Sequence, residues 1–104
     1  MIKAKFFQKN GKLTGFEISG HAGFDLYGKD IVCASVSSAV QLTANGITEI
    51  LGKKADVSVL DNLVSLSLVD SFEESGKFLQ ALKLHLELLS NDYPGTIHIS
   101  CMEV

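Results

Sequence analysis

Apolar residues recur at every second position at the start of this chain, then at every third or fourth, and that switch of period constrains the fold most. Ile2, Ala4 and Phe6 alternate with Lys3 and Lys5, the pattern of a strand with one face buried. Phe16 and Ile18 repeat it after Asn10-Gly11, a hairpin signal. A two-residue Asn-Gly loop would leave Phe16 and Ile18 on the face opposite Phe6. A three-residue loop, Lys9-Asn10-Gly11 with Gly11 left-handed, pairs Ala4 with Phe16 and Ile2 with Ile18, and this is the expected register. From Asp30 the period turns helical: Val32, Val36, Ala39, Val40, Thr43, Ile47 and Ile50 form one stripe.

Asp30 is placed to cap that helix, Gly52 to stop it, and Lys53-Lys54 to meet its negative end. Val57 and Val59 then face Val64, Leu66 and Leu68 across a two-residue turn, Asp61-Asn62. Ser71 and Glu74 form a capping-box pair that opens a second helix reaching about Ser90. Its apolar residues, including Phe78, Leu82, Leu84, Leu86 and Leu88, cover more than one face, which points to contact with another subunit. After Tyr93-Pro94-Gly95, Ile97, Ile99 and Cys101 alternate inward on a last strand. The order ββαββαβ predicts a two-layer α+β domain over residues 1–104, two helices packed on a mostly antiparallel sheet.

Composition narrows the function. A chain of 104 residues, 46% hydrophobic with one proline, supports one modest core. No apolar run reaches the roughly 20 residues of a membrane-spanning helix, so no membrane role is expected. The opening MIKAKFFQKNGK lacks the apolar core of a secretory signal, so the expected location is the cytoplasm, where thiols stay reduced. A net charge of −3 with scattered basic residues argues against direct binding of nucleic acid and leaves room for a basic protein partner. Two cysteines in a reducing compartment read as one functional thiol and one core residue.

The segment GHAGFDLYGKDIVCAS, residues 20 to 35, breaks from these patterns. His21 stands where the second strand ends, and Cys33 stands near the start of the first helix. Unpartnered N–H groups and the summed peptide dipoles make a helix start favourable to a thiolate. A nearby histidine can hold the thiol's proton and return it to a leaving amine. Asp30 either caps the helix or orients His21, and Ser37 lies one turn after Cys33 on the same face. Residues 22 to 29 carry Phe24, Leu26 and Tyr27 near glycines, a composition suited to a lid over a peptide. A plainer assignment stands beside this one: a cysteine on an apolar helix face is often core, and a strand-end histidine is often a surface residue. His85, His98 and Cys101 read as structural, and no ligand spacing supports a metal site.

Gly20-His21-Ala22, Gly28, Asp30-Ile31-Val32-Cys33-Ala34 and Ser37 together resemble the signature of the bacterial ribosomal-processing cysteine proteases. The element order and length fit that family as well. The resemblance implies an endopeptidase without cofactor or metal, using Cys33 as nucleophile and His21 as base and acid. Beside that pair, Ser37 is expected to support the site, Asp30 to cap the helix or orient His21, and Gly20, Gly23 and Gly28 to let the loop move around substrate. The implied substrate is the precursor of large-subunit ribosomal protein number twenty-seven, cut after an aromatic pair in its N-terminal extension, with the enzyme a homodimer. The alternatives are a non-catalytic ribosome-assembly or peptide-binding module and a thiol redox sensor.

Overall fold

The computed structural model describes residues 1–20 and 29–104. Its elements are β1 (Ile2–Lys9), β2 (Lys12–Ser19), α1 (Lys29–Asn45), β3 (Ala55–Leu60), β4 (Leu63–Leu68), α2 (Phe72–Asp92) and β5 (Ile97–Glu103), with a π-helical turn, Gly46–Ile50, continuing α1. The strands form one sheet in the order β3-β4-β2-β1-β5. Among the described residues three pairings are antiparallel and one, β1 with β5, is parallel. The expected two-layer α+β architecture therefore holds. On β1, Ile2, Ala4 and Phe6 are buried while Lys3 and Lys5 are exposed, so one face of the sheet carries the core. Val32, Val36, Val40 and Ile47 from the first helical stretch join Leu79, Leu82 and Leu86 from α2 in that same core.

The first hairpin corrects the expected register. Asn10 and Gly11 both take left-handed backbone, with φ of 54° and 78°, as a tight two-residue primed turn demands. Lys9 pairs with Lys12 and Gln8 with Leu13, but Phe7 then pairs with Gly15, leaving Thr14 as an extra residue. This bulge reverses the parity that the short turn would have imposed. Phe16 thus lies opposite Phe6, and Ile18 opposite Ala4. Gly15 is required beside the bulge because a Cβ there would come within 2.4 Å of the Leu66 carbonyl oxygen on β4. Alanine normally suits a strand better than glycine by about 0.5–1 kcal/mol. Here overpacking wins, so Gly15→Ala is expected to lower stability by about 1–3 kcal/mol. An unfolding midpoint in urea equal to or above wild type would reject that reason for the glycine.

Helix ends bring further corrections. Asp30 falls on the second residue of α1, inside the helix rather than at its cap. Gly52 does stop the helical stretch, with φ of 65°, and the Lys53 N–H donates to the Ile47 carbonyl at 3.0 Å. Ile50, expected on the buried stripe, is 82% exposed. The wider π turn changes the angular step and carries it off that face. The stretch Ile31–Ile50 is also long and apolar enough, by composition, to cross a membrane, contrary to the sequence expectation. Four of its apolar residues (Val32, Val36, Val40 and Ile47) are in the core, the arrangement of a core helix that passes the same test.

Ser71 does not build a capping box at the start of α2. Its backbone is left-handed, its side chain makes no cap hydrogen bond, and its carbonyl accepts the Ser75 N–H at 3.0 Å. Glu73 instead pairs with Lys12 of the first hairpin. The hydrogen bond from Lys12, reinforced by its charge, holds the Glu73 carboxyl below its ordinary range. Cys101 is exposed rather than core. Ile97 is buried and Ile99 partly so, but Cys101, on the same register of the edge strand, opens onto a shallow concavity beside the polar Gln80, Lys83 and Glu87 of α2.

Candidate active site

Strand β2 ends at Ser19, which pairs with Leu63, the first residue of β4. The turn between β3 and β4, Asp61-Asn62, therefore sits beside the end of β2. One further bond joins them: the Gly20 N–H donates to the Asn62 carbonyl at 3.4 Å. Gly20 has φ of 87°, and a Cβ on it would lie 2.4 Å from the Met1 carbonyl oxygen. No side chain fits that position. The motif thus begins at a backbone site held from both sides, by β4's turn and by the chain's first residues.

Cys33 is the fifth residue of α1, half-buried and packed against the core. It lines a cavity of about 170 Å³ together with Gly20, Ser37, Leu60, Asp61 and Asn62. The structure therefore brings three of the expected site residues together, Gly20, Cys33 and Ser37. Ser37 is exposed and one turn beyond Cys33, as the helical spacing requires. His21, Gly23, Gly28 and the proposed lid segment lie outside the described residues, as does the side chain of Asp30. His85 and His98 are both exposed and line no part of this cavity.

Helix geometry refines the expected chemistry. The N–H groups without helical partners belong to the first turn, ahead of Cys33. At the fifth position the N–H of Cys33 itself falls into the helix's own ladder. Its thiol still stands near the positive end of the helix, where negative charge on sulfur or on an attacked carbonyl is stabilised. Among the described residues, the first turn of α1 and the facing wall of the cavity offer donors for that carbonyl oxygen. Sequence reasoning missed that wall. Asp61-Asn62 is legible as a turn, but its place beside Cys33 follows from β2 pairing with β4, a long-range choice that periodicity does not encode.

A second concavity, a groove of about 840 Å³, runs between α1 and α2, with Ile31, Leu42 and Phe78 among its walls. It lies on a different side of α1 from the Cys33 cavity, and among the described residues the two share none.

A family model described as cysteine protease Prp matches residues 1–98. The chain belongs to this family. A curated relative from Staphylococcus aureus, named ribosomal processing cysteine protease Prp, is 28% identical over 93 residues, covering 86% of this chain and 88% of the relative. The Bacillus subtilis protein of the same name is 23% identical over 108 residues, covering 96% of each. Among solved structures, an S. aureus Prp in complex with a substrate peptide superposes with a TM-score of 0.87 at 26% identity, covering 97% of this chain and 99% of that one. A Streptococcus mutans protein gives a TM-score of 0.88 at 27% identity, covering 100% of this chain and 96% of that chain. Another S. aureus Prp structure holds a covalently linked product peptide.

Proposed function

We propose that this Prp-family chain is a cytoplasmic cysteine endopeptidase that removes the N-terminal extension of a large-subunit ribosomal protein precursor, cutting after an aromatic pair. The observation that carries this reading is Cys33 at the positive end of α1, opening onto a cavity whose other wall starts the Gly20-His21 motif. The S. aureus relative crystallised with a covalently linked product peptide supports a covalent route.

In that route the Cys33 Sγ attacks the scissile carbonyl carbon while His21 takes the thiol proton. The oxygen becomes an oxyanion, stabilised by N–H groups of the first helical turn and by polar groups of the cavity wall. His21 then gives its proton to the leaving amine, the C–N bond breaks, and a thioester remains on Sγ. A water molecule, deprotonated by His21, hydrolyses the thioester and restores the thiol. Asp30, in the first turn of α1, and Ser37, one turn after Cys33, are the residues assigned to support the pair. Net negative charge on the enzyme favours encounter with a basic ribosomal protein. Incubating the extended precursor with the protein and weighing the products by mass spectrometry tests the assignment. Release of a peptide ending in the aromatic pair is expected, and an intact precursor would overturn it.

The same protein is read as a homodimer. Leu84 and Leu88, one turn apart on α2, are 57% and 55% exposed. Sedimentation at micromolar concentration is expected to give a dimer, and Leu84→Asp to shift it to monomer. A wild-type species of 11.2 kDa at every concentration would remove the dimer from the reading.

A further inference from the structure

Three features of the β3–β4 hairpin bear on the cavity that Cys33 lines. Val59 and Leu60 are 71% and 63% exposed, although they stand on an edge strand. Natural edge strands usually carry charge or proline there, because exposed apolar edges invite aggregation. The turn that follows, Asp61-Asn62, reaches the motif and is tied to Gly20 through the Asn62 carbonyl. Leu60, Asp61 and Asn62 also line two concavities at once. One is the cavity that holds Cys33, and the other is an open cleft of about 730 Å³ shared with Val59 and Leu63. Leu60 thus borders both the open cleft and the cavity that Cys33 lines, beside the polar Asp61 and Asn62.

We infer that the β3–β4 turn, centred on Leu60, is the subsite that receives a large apolar side chain of the peptide next to the bond cut at Cys33. The inference rests on the protease reading of Cys33, and it names a specificity determinant outside the Gly20–Ser37 motif. Physically, the side chain leaves water against Val59 and Leu60, while the polar edge of the turn at Asn62 is left to the peptide backbone. Burial of one such side chain sets the size of the effect: on the order of tenfold to a hundredfold in affinity or in kcat/KM. Leu60 is mostly exposed, so Leu60→Asp changes the cleft without emptying the core. Ile50→Asp removes an apolar side chain of comparable exposure outside the cleft and serves as the control.

The experiment has two arms using one precursor-derived peptide, with phenylalanine or alanine before the scissile bond. In the first arm, kcat/KM is measured for wild type, Leu60→Asp and Ile50→Asp. The phenylalanine peptide is expected to lose at least tenfold with Leu60→Asp and little with Ile50→Asp. The alanine peptide is expected to be nearly indifferent to Leu60, a contrast that a merely structural role would not give. In the second arm, the same peptides are titrated into Cys33→Ala with and without Leu60→Asp, read by fluorescence anisotropy. Equal losses for both peptides, or unchanged binding, would overturn the subsite while leaving the protease standing. Binding that depends on Leu60 with no cutting by wild type would retain the subsite and remove the protease. No binding of either peptide would overturn the subsite.

Discussion

Cys33→Ala is expected to lower cleavage of the extended ribosomal precursor by about 10⁴-fold or more, while the precursor still binds. The size follows from the role: without a nucleophile the enzyme keeps only binding and oxyanion stabilisation, which together give a small residue of the rate. The fold should survive, since the change removes one half-buried sulfur at the edge of the core and costs about 1 kcal/mol or less. Thermal unfolding of the variant close to wild type, with cleavage gone and binding intact, is the complete expected result. Undiminished cleavage would remove Cys33 from the mechanism. Normal ribosome assembly in cells carrying only the Cys33→Ala form would favour the peptide-binding module instead. Reversible oxidation of Cys33 in a wild type that never cuts would favour the redox sensor.

How the sequence announces this site differs from how it announces the fold. Cys33 and Ser37 are legible because a helix converts spacing into direction: four residues make one turn, so both reach the same cavity. Gly20 is legible as a motif position, yet its reason lies elsewhere in the chain, at the Met1 carbonyl and the Asn62 carbonyl. The β3–β4 turn is not legible as part of the site at all. Its contact with Gly20 requires β2 to choose β4 as its outer neighbour, and apolar alternation fits many strand orders equally well. The first hairpin fails for a subtler reason. The parity argument against a two-residue turn is sound, but one extra residue at Thr14 cancels it, and a threonine carries no local mark of a bulge. Cys101 and Ile50 fail together: each has the right periodicity, but Cys101 opens onto a concavity beside polar residues of α2, and Ile50 lies where the helix changes pitch.

Phe16→Ala is expected to cost about 3–5 kcal/mol, enough to unfold much of the population of a domain whose total stability is of order 5–15 kcal/mol. Phe16 is 1% exposed at the centre of the sheet, between Phe6 on β1 and Leu66 on β4. Truncation leaves a void that neither neighbouring strand can close, because both are held by ladder bonds. Phe6→Ala should cost a similar amount, since Phe6 is fully buried. The two rings lie 6.2 Å apart at their centroids and 53° from parallel, a tilted aromatic contact. Such pairs carry about 0.5–1.5 kcal/mol beyond their burial. The double mutant should therefore lose less than the sum of the two single losses by about that amount. This coupling tests the register as well as the packing. If the hairpin paired Ala4 with Phe16, as a three-residue loop would have it, the rings would not be cross-strand partners and the two losses would simply add. Urea unfolding of the two single mutants and the double mutant, with m-values checked for two-state behaviour, gives the coupling directly. A value near zero would reject the Thr14 bulge. It would also reject the placement of Gly20 and the motif it begins, since β2 would then enter the site two residues out of step.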